Sequence, residues 1–402
     1  MRTTARMSLV VGKELRCRRP GERTAPPPCK CHERKGGGSA TKLEPQGCCE
    51  KTNDRYLMNG NEMTEANRDE DLKILVERLS DRAFDPSCCF LCANHYDAVD
   101  LTSEHVFPKW LQNRFDLWNQ RFILPNGTAI PYRFMTIPCC NDCNRYRLQP
   151  IEVTMSGAVT KGVDAVRKLE RNTIFLWLGK IFYGTLYREL SLLLDRTQND
   201  MVTIATPEML QQYETHLIFL QEVREKVKLV DFIPGSIFTF VCQAPQDARL
   251  QWDFCDNIDT MFIAVRMGTV GIVAVLGDGG AQMIFEKAYE PIKDFPLHPL
   301  QFREICAHFS YRSSIATRTP KYFVIESSPH EVHQMPLGGF SAKPFFDEWD
   351  EDIYGRFLAF YTGYPYEVVH PEQGKTGTWI HDDSGAVRYM AYKEFPYKPQ
   401  NP

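Results

Sequence analysis

Cys88-Cys89-Phe90-Leu91-Cys92 and Pro138-Cys139-Cys140-Asn141-Asp142-Cys143-Asn144 decide how this chain is read. Each stretch holds a C-x2-C pair, and the two-residue gap lets both sulfurs approach one metal from a tight knuckle. Two such pairs make a tetrahedral thiolate site for Zn²⁺. We take Cys89, Cys92, Cys140 and Cys143 as its ligands, with Cys88 and Cys139 as spare neighbours. All four positions of such a site are filled by protein, so its role is structural.

The chain has 402 residues, 14 of them cysteine. Five cysteines fall in the first 49 residues and six between 88 and 143, leaving Cys242, Cys255 and Cys306 for the rest. Clustered pairs without a secretory signal are expected in a reducing, intracellular (cytoplasmic) setting, as metal ligands and not disulfides. The chain is 43% hydrophobic and 24% charged with a net charge of −4, which excludes a uniformly basic nucleic-acid coat protein. The two longest apolar stretches, Thr173–Tyr187 and Thr260–Leu276, are broken by Lys180 and Arg266. No run reaches the roughly 18 residues that a membrane span needs, so no membrane partner is expected.

Between the knuckles lies Ser103-Glu104-His105-Val106-Phe107-Pro108-Lys109-Trp110-Leu111, and Leu148-Gln149-Pro150-Ile151-Glu152 follows the second knuckle. A neutral imidazole held by a hydrogen bond is a suitable general base near neutral pH, which makes His105 the candidate. The Glu104 carboxylate is a hard oxygen donor suited to Mg²⁺, and Asn144 can offer its amide oxygen to the same cation. From 104 to 147 six cations (Lys109, Arg114, Arg121, Arg133, Arg145, Arg147) face three acids. That local positive balance points to a polyanion, with Lys109, Arg133, Arg145 and Arg147 as candidate phosphate contacts.

These segments together resemble the HNH endonucleases of the ββα-metal superfamily, over about 70 residues carrying "CFLC", "SEHVFPKWL" and "CCNDCN". The resemblance implies a zinc-stapled ββα-metal domain that hydrolyses phosphodiesters, DNA favoured over RNA. It implies His105 as the general base, and Glu104 and Asn144 as ligands of a catalytic Mg²⁺ or Mn²⁺. One position departs from the family pattern: Met135 stands where the middle Asn is expected, with Arg133 and Thr136 beside it. The alternative is a catalytically degenerate zinc-knuckle module that binds nucleic acid or protein. Residues 108–123 are expected to form an inserted helix, with Trp110, Leu111, Phe115 and Trp118 packing inward.

The predicted architecture is α+β in four parts. Residues 1–69 read as a disordered basic tail, with ten Lys/Arg against three Glu over 1–36. Its Arg-rich start also fits a transit peptide or an upstream start site, with Met58 and Met63 as later candidates. Cys29, Cys31, His32, Cys48 and Cys49 make a weaker second metal pattern there. Residues 70–160 form the zinc domain, opened by a helix over Glu70–Leu79. Residues 161–230 are helical: a buried stretch at Gly162–Asp195, then a helix from Pro207 to about Val227. Residues 231–402 are expected to be mainly antiparallel α+β, their role not given by sequence. Strands are predicted at Ser236–Cys242, Met261–Met267, Thr269–Leu276, Gln282–Phe285 and Tyr322–Ile325, with a helix at Glu304–Tyr311 and hairpin glycines at Gly277–Gly280. His330 and His333 are placed in a loop, and Asp347–Asp352 on a solvated helix face with Trp349 and Ile353.

Overall fold

The computed structural model describes residues 6–7, 72–82, 84–124, 127–190, 192, 207–338 and 343–392. The tail at 1–69, apart from 6–7, and the cysteine pattern at 29–49 lie outside the described residues. The architecture is mixed α+β with predominantly antiparallel sheets, and residues 72–392 belong to one compact unit.

After β1 (Arg6–Met7) and α1 (Leu72–Asp81), the first knuckle leads into β2 (Leu101–His105). A short helix α2 (Lys109–Arg114) and a hairpin of β3 (Arg121–Ile123) and β4 (Ala129–Pro131) are inserted before β5 (Thr136–Cys140). β5 pairs antiparallel with β2, from Leu101 opposite Cys140 to His105 opposite Thr136. The chain turns at once into a helix: a wide turn over Cys143–Leu148, then α3 (Gln149–Lys161) with Pro150 in its first turn, where a missing N–H costs nothing. The expected single helix over 108–123 is therefore a helix of six residues plus a strand. Asp116 adopts a left-handed φ of 51° and ends the helical path. Leu111 and Phe115 pack inward as expected, but Trp118 is on the surface.

The apolar stretch after 162 divides into α4 (Val163–Arg167) and α5 (Arg171–Leu190), the latter buried along nearly its whole length. α6 (Pro207–Phe219) ends in a tight turn over Leu220–Arg224, closed by Glu225 at φ 58°, so the expected helix to Val227 gives way to β6 (Val227–Leu229).

The centre of the molecule is a five-stranded sheet ordered β1-β8-β9-β10-β7, from β7 (Ser236–Val241), β8 (Trp252–Asn257), β9 (Phe262–Met267) and β10 (Val270–Val275). All pairs are antiparallel except β1 with β8. β8, β9 and β10 are buried at every position because both faces are covered. Trp252, Phe254, Ile263, Val265 and Ile272 join the core that runs through α5 and the cysteine module. Cys255, Phe262, Ala264, Val273 and Val275 meet a second core built with α7 (Glu286–Lys293), α8 (Pro299–Ser314) and α9 (Glu351–Thr362). Gly271 lets α8 close in: a Cβ there would stand 2.6 Å from the Phe302 ring. The chain also forms a three-stranded sheet of β11 (Tyr322–Ile325), β12 (His330–Gln334) and β6, and α10 (Tyr366–Val369) with a strap to residue 392 completes the described residues.

Four expectations in the C-terminal region are corrected. Gln282–Phe285 is a tight helical turn over Ala281–Phe285 and not a returning strand. The Asp278 carboxylate accepts from the amides of Ser236, Gly280 and Gln282, and so turns the chain inward there. β8 is an additional strand that the periodicity missed, because Asp253 and Asp256 interrupt its apolar residues. His330 and His333 lie on a strand, where an odd spacing points them to opposite faces and not toward one metal. α9 begins only at Glu351 with Asp350 as its cap, so Trp349 precedes the helix and packs edge-on to Tyr311.

A four-cysteine centre and the strand it anchors

Cys89, Cys92, Cys140 and Cys143 are all buried, and their sulfurs lie within 4.8 Å of one another. The four cysteines therefore stand close enough to hold one metal ion. A tetrahedral zinc with Zn–S bonds of about 2.3 Å separates its sulfurs by about 3.8 Å. The Cys92 and Cys140 sulfurs are 3.8 Å apart.

Local backbone geometry makes the knuckles. The Cys89 amide donates to the Asn94 carbonyl at 2.9 Å, and the Ala93 amide returns to the Cys89 carbonyl at 2.8 Å. Ala93 takes a left-handed φ of 56°, which closes the first loop. In the second, the Cys143 amide points at the Cys140 sulfur, 3.5 Å away. The Phe90 amide donates to the Pro138 carbonyl at 2.9 Å and links the knuckles directly. Cys139 is buried beside the four, and its thiol is the largest of the effects lowering the Cys89 thiol below its ordinary range. Cys88 instead turns to the Asp85 carboxylate at 3.4 Å.

β2 runs from this centre to His105, four residues or about 13 Å along the strand. The imidazole is half-buried. The Gln112 amide nitrogen lies 3.4 Å from Nδ1 and donates to the Phe107 carbonyl at 2.7 Å. In the tautomer that accepts from that amide, the Nδ1 lone pair is engaged by Gln112 and the proton sits on Nε2. Trp118 lies against the ring, 5.7 Å between centroids. Burial first, and then the Lys109 charge, lower His105 below the ordinary histidine value, so it is neutral at pH 7.

Glu104 faces the other way. It is only 7% exposed, and its carboxylate contacts the ammonium of Lys180 from α5. Lys180 is 1% exposed and is also bonded to Glu152 of α3 at 2.9 Å and to the His105 carbonyl at 2.6 Å. Burial alone would lower the Lys180 pKa, but the two carboxylates outweigh it and hold the ammonium charged. Burial raises Glu152, against the pull of Lys180. One ammonium thus ties together β2, α3 and α5 directly behind the imidazole.

Of the other predicted site residues, Asn144 donates to the Thr102 hydroxyl at 3.2 Å. That hydroxyl in turn donates to the Cys139 carbonyl at 2.8 Å. Thr102 and Glu104 share a face of β2, opposite to that of His105 by strand alternation. Lys109 is exposed at the start of α2. Arg133 donates to the Trp118 carbonyl at 3.2 Å and to the Asn119 side chain. Arg145 is exposed, whereas Arg147 pairs with Glu225 at 3.1 Å. Met135 is fully buried, and its carbonyl receives the Val106 amide at 2.8 Å.

Sequence reasoning missed Lys180, Gln112 and the role of Glu152. The one usable signal was a lone lysine in a long apolar helix, which must find a buried anion. Compared with protein-family models, with curated proteins and with solved structures, the chain matches none. Among the described residues no helix is long and apolar enough to cross a membrane.

Proposed function

We propose that the chain is an HNH-type endonuclease, stapled by structural zinc on Cys89, Cys92, Cys140 and Cys143, that hydrolyses phosphodiester bonds, DNA favoured over RNA. The observation that carries this is His105: a neutral, half-exposed imidazole at the end of a strand whose other end is the four-cysteine centre. In this reading the neutral His105 imidazole takes the proton of the attacking water. Lys180 fixes the His105 carbonyl and Gln112 fixes the ring, so the base is held in place before substrate arrives. Four buried thiols suit the soft tetrahedral coordination of zinc, and thiolate zinc sites persist in a reducing compartment such as the cytoplasm.

The resemblance assigns Glu104 and Asn144 to a Mg²⁺ or Mn²⁺, but Glu104 and the Asn144 partner Thr102 lie on the face of β2 opposite His105, which counts against one shared site. Such an ion would stabilise the charge developing on phosphorus and on the leaving oxygen. Glu104 already carries the Lys180 ammonium, so the cation competes with a fixed positive charge, and activity is expected to need millimolar metal. Lys109, Arg133 and Arg145 supply positive charge for the phosphate backbone.

The test is nicking of supercoiled plasmid with Mg²⁺ or Mn²⁺ by wild type and His105→Ala, matched for zinc content. Loss of a general base costs on the order of 10² to 10⁴ in rate, so cleavage should vanish in the variant. Equal cleavage by both would end the assignment. The burial of Glu104 against Lys180 and of Met135 in the core favours the second reading, a non-catalytic zinc-knuckle binding module. Tight nucleic-acid binding with no cleavage at any metal concentration selects it.

A further inference from the structure

Trp118 was expected in the core and is 37% exposed, beside the His105 ring. Phe134 is 56% exposed. Arg133 spans the two: it donates to the Trp118 carbonyl at 3.2 Å, and its guanidinium carbon lies 4.6 Å from the centre of the Phe134 ring. From 105 to 134 the chain carries Lys109, Arg114, Arg121 and Arg133 against Asp116 alone. Single exposed aromatics are ordinary. Two joined through an arginine, one of them touching the candidate catalytic imidazole in a cationic segment, form a combination with a chemical meaning.

Aromatic faces bordered by cations are what single-stranded nucleic acid needs. Stacking on a side chain requires an open base face, which a duplex covers with the neighbouring pair. An unpaired base has that face free, and its phosphates pair with Lys or Arg. We propose that this surface binds single-stranded nucleic acid: unpaired bases stack on Trp118 and Phe134, and Lys109 and Arg133 take the flanking phosphates. Where the strand is cut rests on the nuclease reading, since it is His105 that Trp118 adjoins. The base that stacks on Trp118 brings a neighbouring phosphate to the imidazole, so unpaired DNA is the preferred substrate over intact duplex.

The test is fluorescence anisotropy of a labelled oligo-dT and of a duplex of equal length, with the full chain and no added divalent metal. Wild type, Trp118→Ala, Trp118→Phe and Phe134→Ala are compared after matching circular dichroism and zinc content. Wild type should bind oligo-dT at least about tenfold more tightly than duplex. Trp118→Ala should lose on the order of tenfold for oligo-dT and little for duplex, and Trp118→Phe should keep most of the affinity. Duplex bound as well as oligo-dT, no binding of either, or unchanged oligo-dT binding by Trp118→Ala overturns the proposal. Metal-dependent cleavage of circular single-stranded and relaxed double-stranded DNA is measured alongside. Strand-selective binding without cleavage removes the nuclease reading and keeps this one. Cleavage with duplex preferred does the reverse.

Discussion

Replacing Lys180 by methionine tests whether one buried ammonium holds β2, α3 and α5 together behind His105. Methionine fills nearly the same space, so no large cavity is added to the effect. The ammonium has three hydrogens, and they serve the Glu104 and Glu152 carboxylates and the His105 carbonyl. Removing it leaves two carboxylates and a carbonyl in a largely buried site without that donor. Breaking a buried ion pair from one side costs about 3–5 kcal/mol. The burial of Lys180 at 1% exposure means that solvent screening does not reduce this figure. Urea unfolding followed by tryptophan fluorescence should show that loss in Lys180→Met. Lys180→Met/Glu104→Gln/Glu152→Gln, in which no charge is stranded, should recover most of it. A single variant within about 1 kcal/mol of wild type, or a triple variant as unstable as the single, would refute the argument. The same variant probes the cation: with the ammonium gone, Ca²⁺ or Mg²⁺ should raise the melting temperature of Lys180→Met by more than that of wild type.

Two further outcomes follow from the geometry. Purified protein should carry one zinc per chain by elemental analysis. Cys143→Ser should lose it and unfold, Cys88→Ser should keep it, and Cys139→Ala, which removes the thiol next to the Cys140 ligand, should weaken zinc binding about 10- to 100-fold without abolishing it. Burial pushes the Glu304 carboxyl up to about 7, although it accepts from the Trp379 amide at 2.6 Å and from the Thr378 hydroxyl. An acid whose folded pKa is raised binds its proton more tightly folded than unfolded, so stability is present below the unfolded value near 4.5 and is lost as pH rises toward 7. Over that window the loss is about 3 kcal/mol. Glu304→Gln should flatten the decline and leave the variant more stable than wild type at pH 8 in denaturant titrations. A parallel decline in both would show that Glu304 is not its source.

What was legible in the sequence was what lies close together along the chain. The C-x2-C spacing acts over four residues, and it named the four sulfurs that the fold brings together. The β-rich runs at 236–241, 262–267 and 270–275 were legible because apolar side chains fill both faces of those strands. β8 was not, because its second charge partner is remote: Asp253 is neutralised by Arg303 of α8, 50 residues away, with Nε at 2.5 Å. Without that partner, an aspartate in Trp-Asp-Phe-Cys-Asp-Asn looks like a loop. Lys180 was hidden for the same reason, its partners Glu104 and Glu152 coming from separate elements. Trp118 failed in the opposite direction, since composition puts a tryptophan inside and the chain turns at Asp116 to leave it out. A failure of local rules next to a candidate site is where function is expected to override packing.

The two readings of the site meet at Glu104, and its environment fixes what must separate them. A buried carboxylate requires a cation, and in this fold Lys180 supplies one covalently. If Glu104 serves a divalent metal, the metal must displace or share that ammonium, and the Lys180→Met variant should then bind metal more tightly than wild type. If Glu104 serves only Lys180, its carboxylate is a strut that keeps the His105 carbonyl in place. Glu104→Gln would then lose stability without changing how the protein responds to divalent metal. Zinc cannot make this distinction, because both readings need the same four sulfurs. It falls to the metal response of Lys180→Met and Glu104→Gln measured side by side.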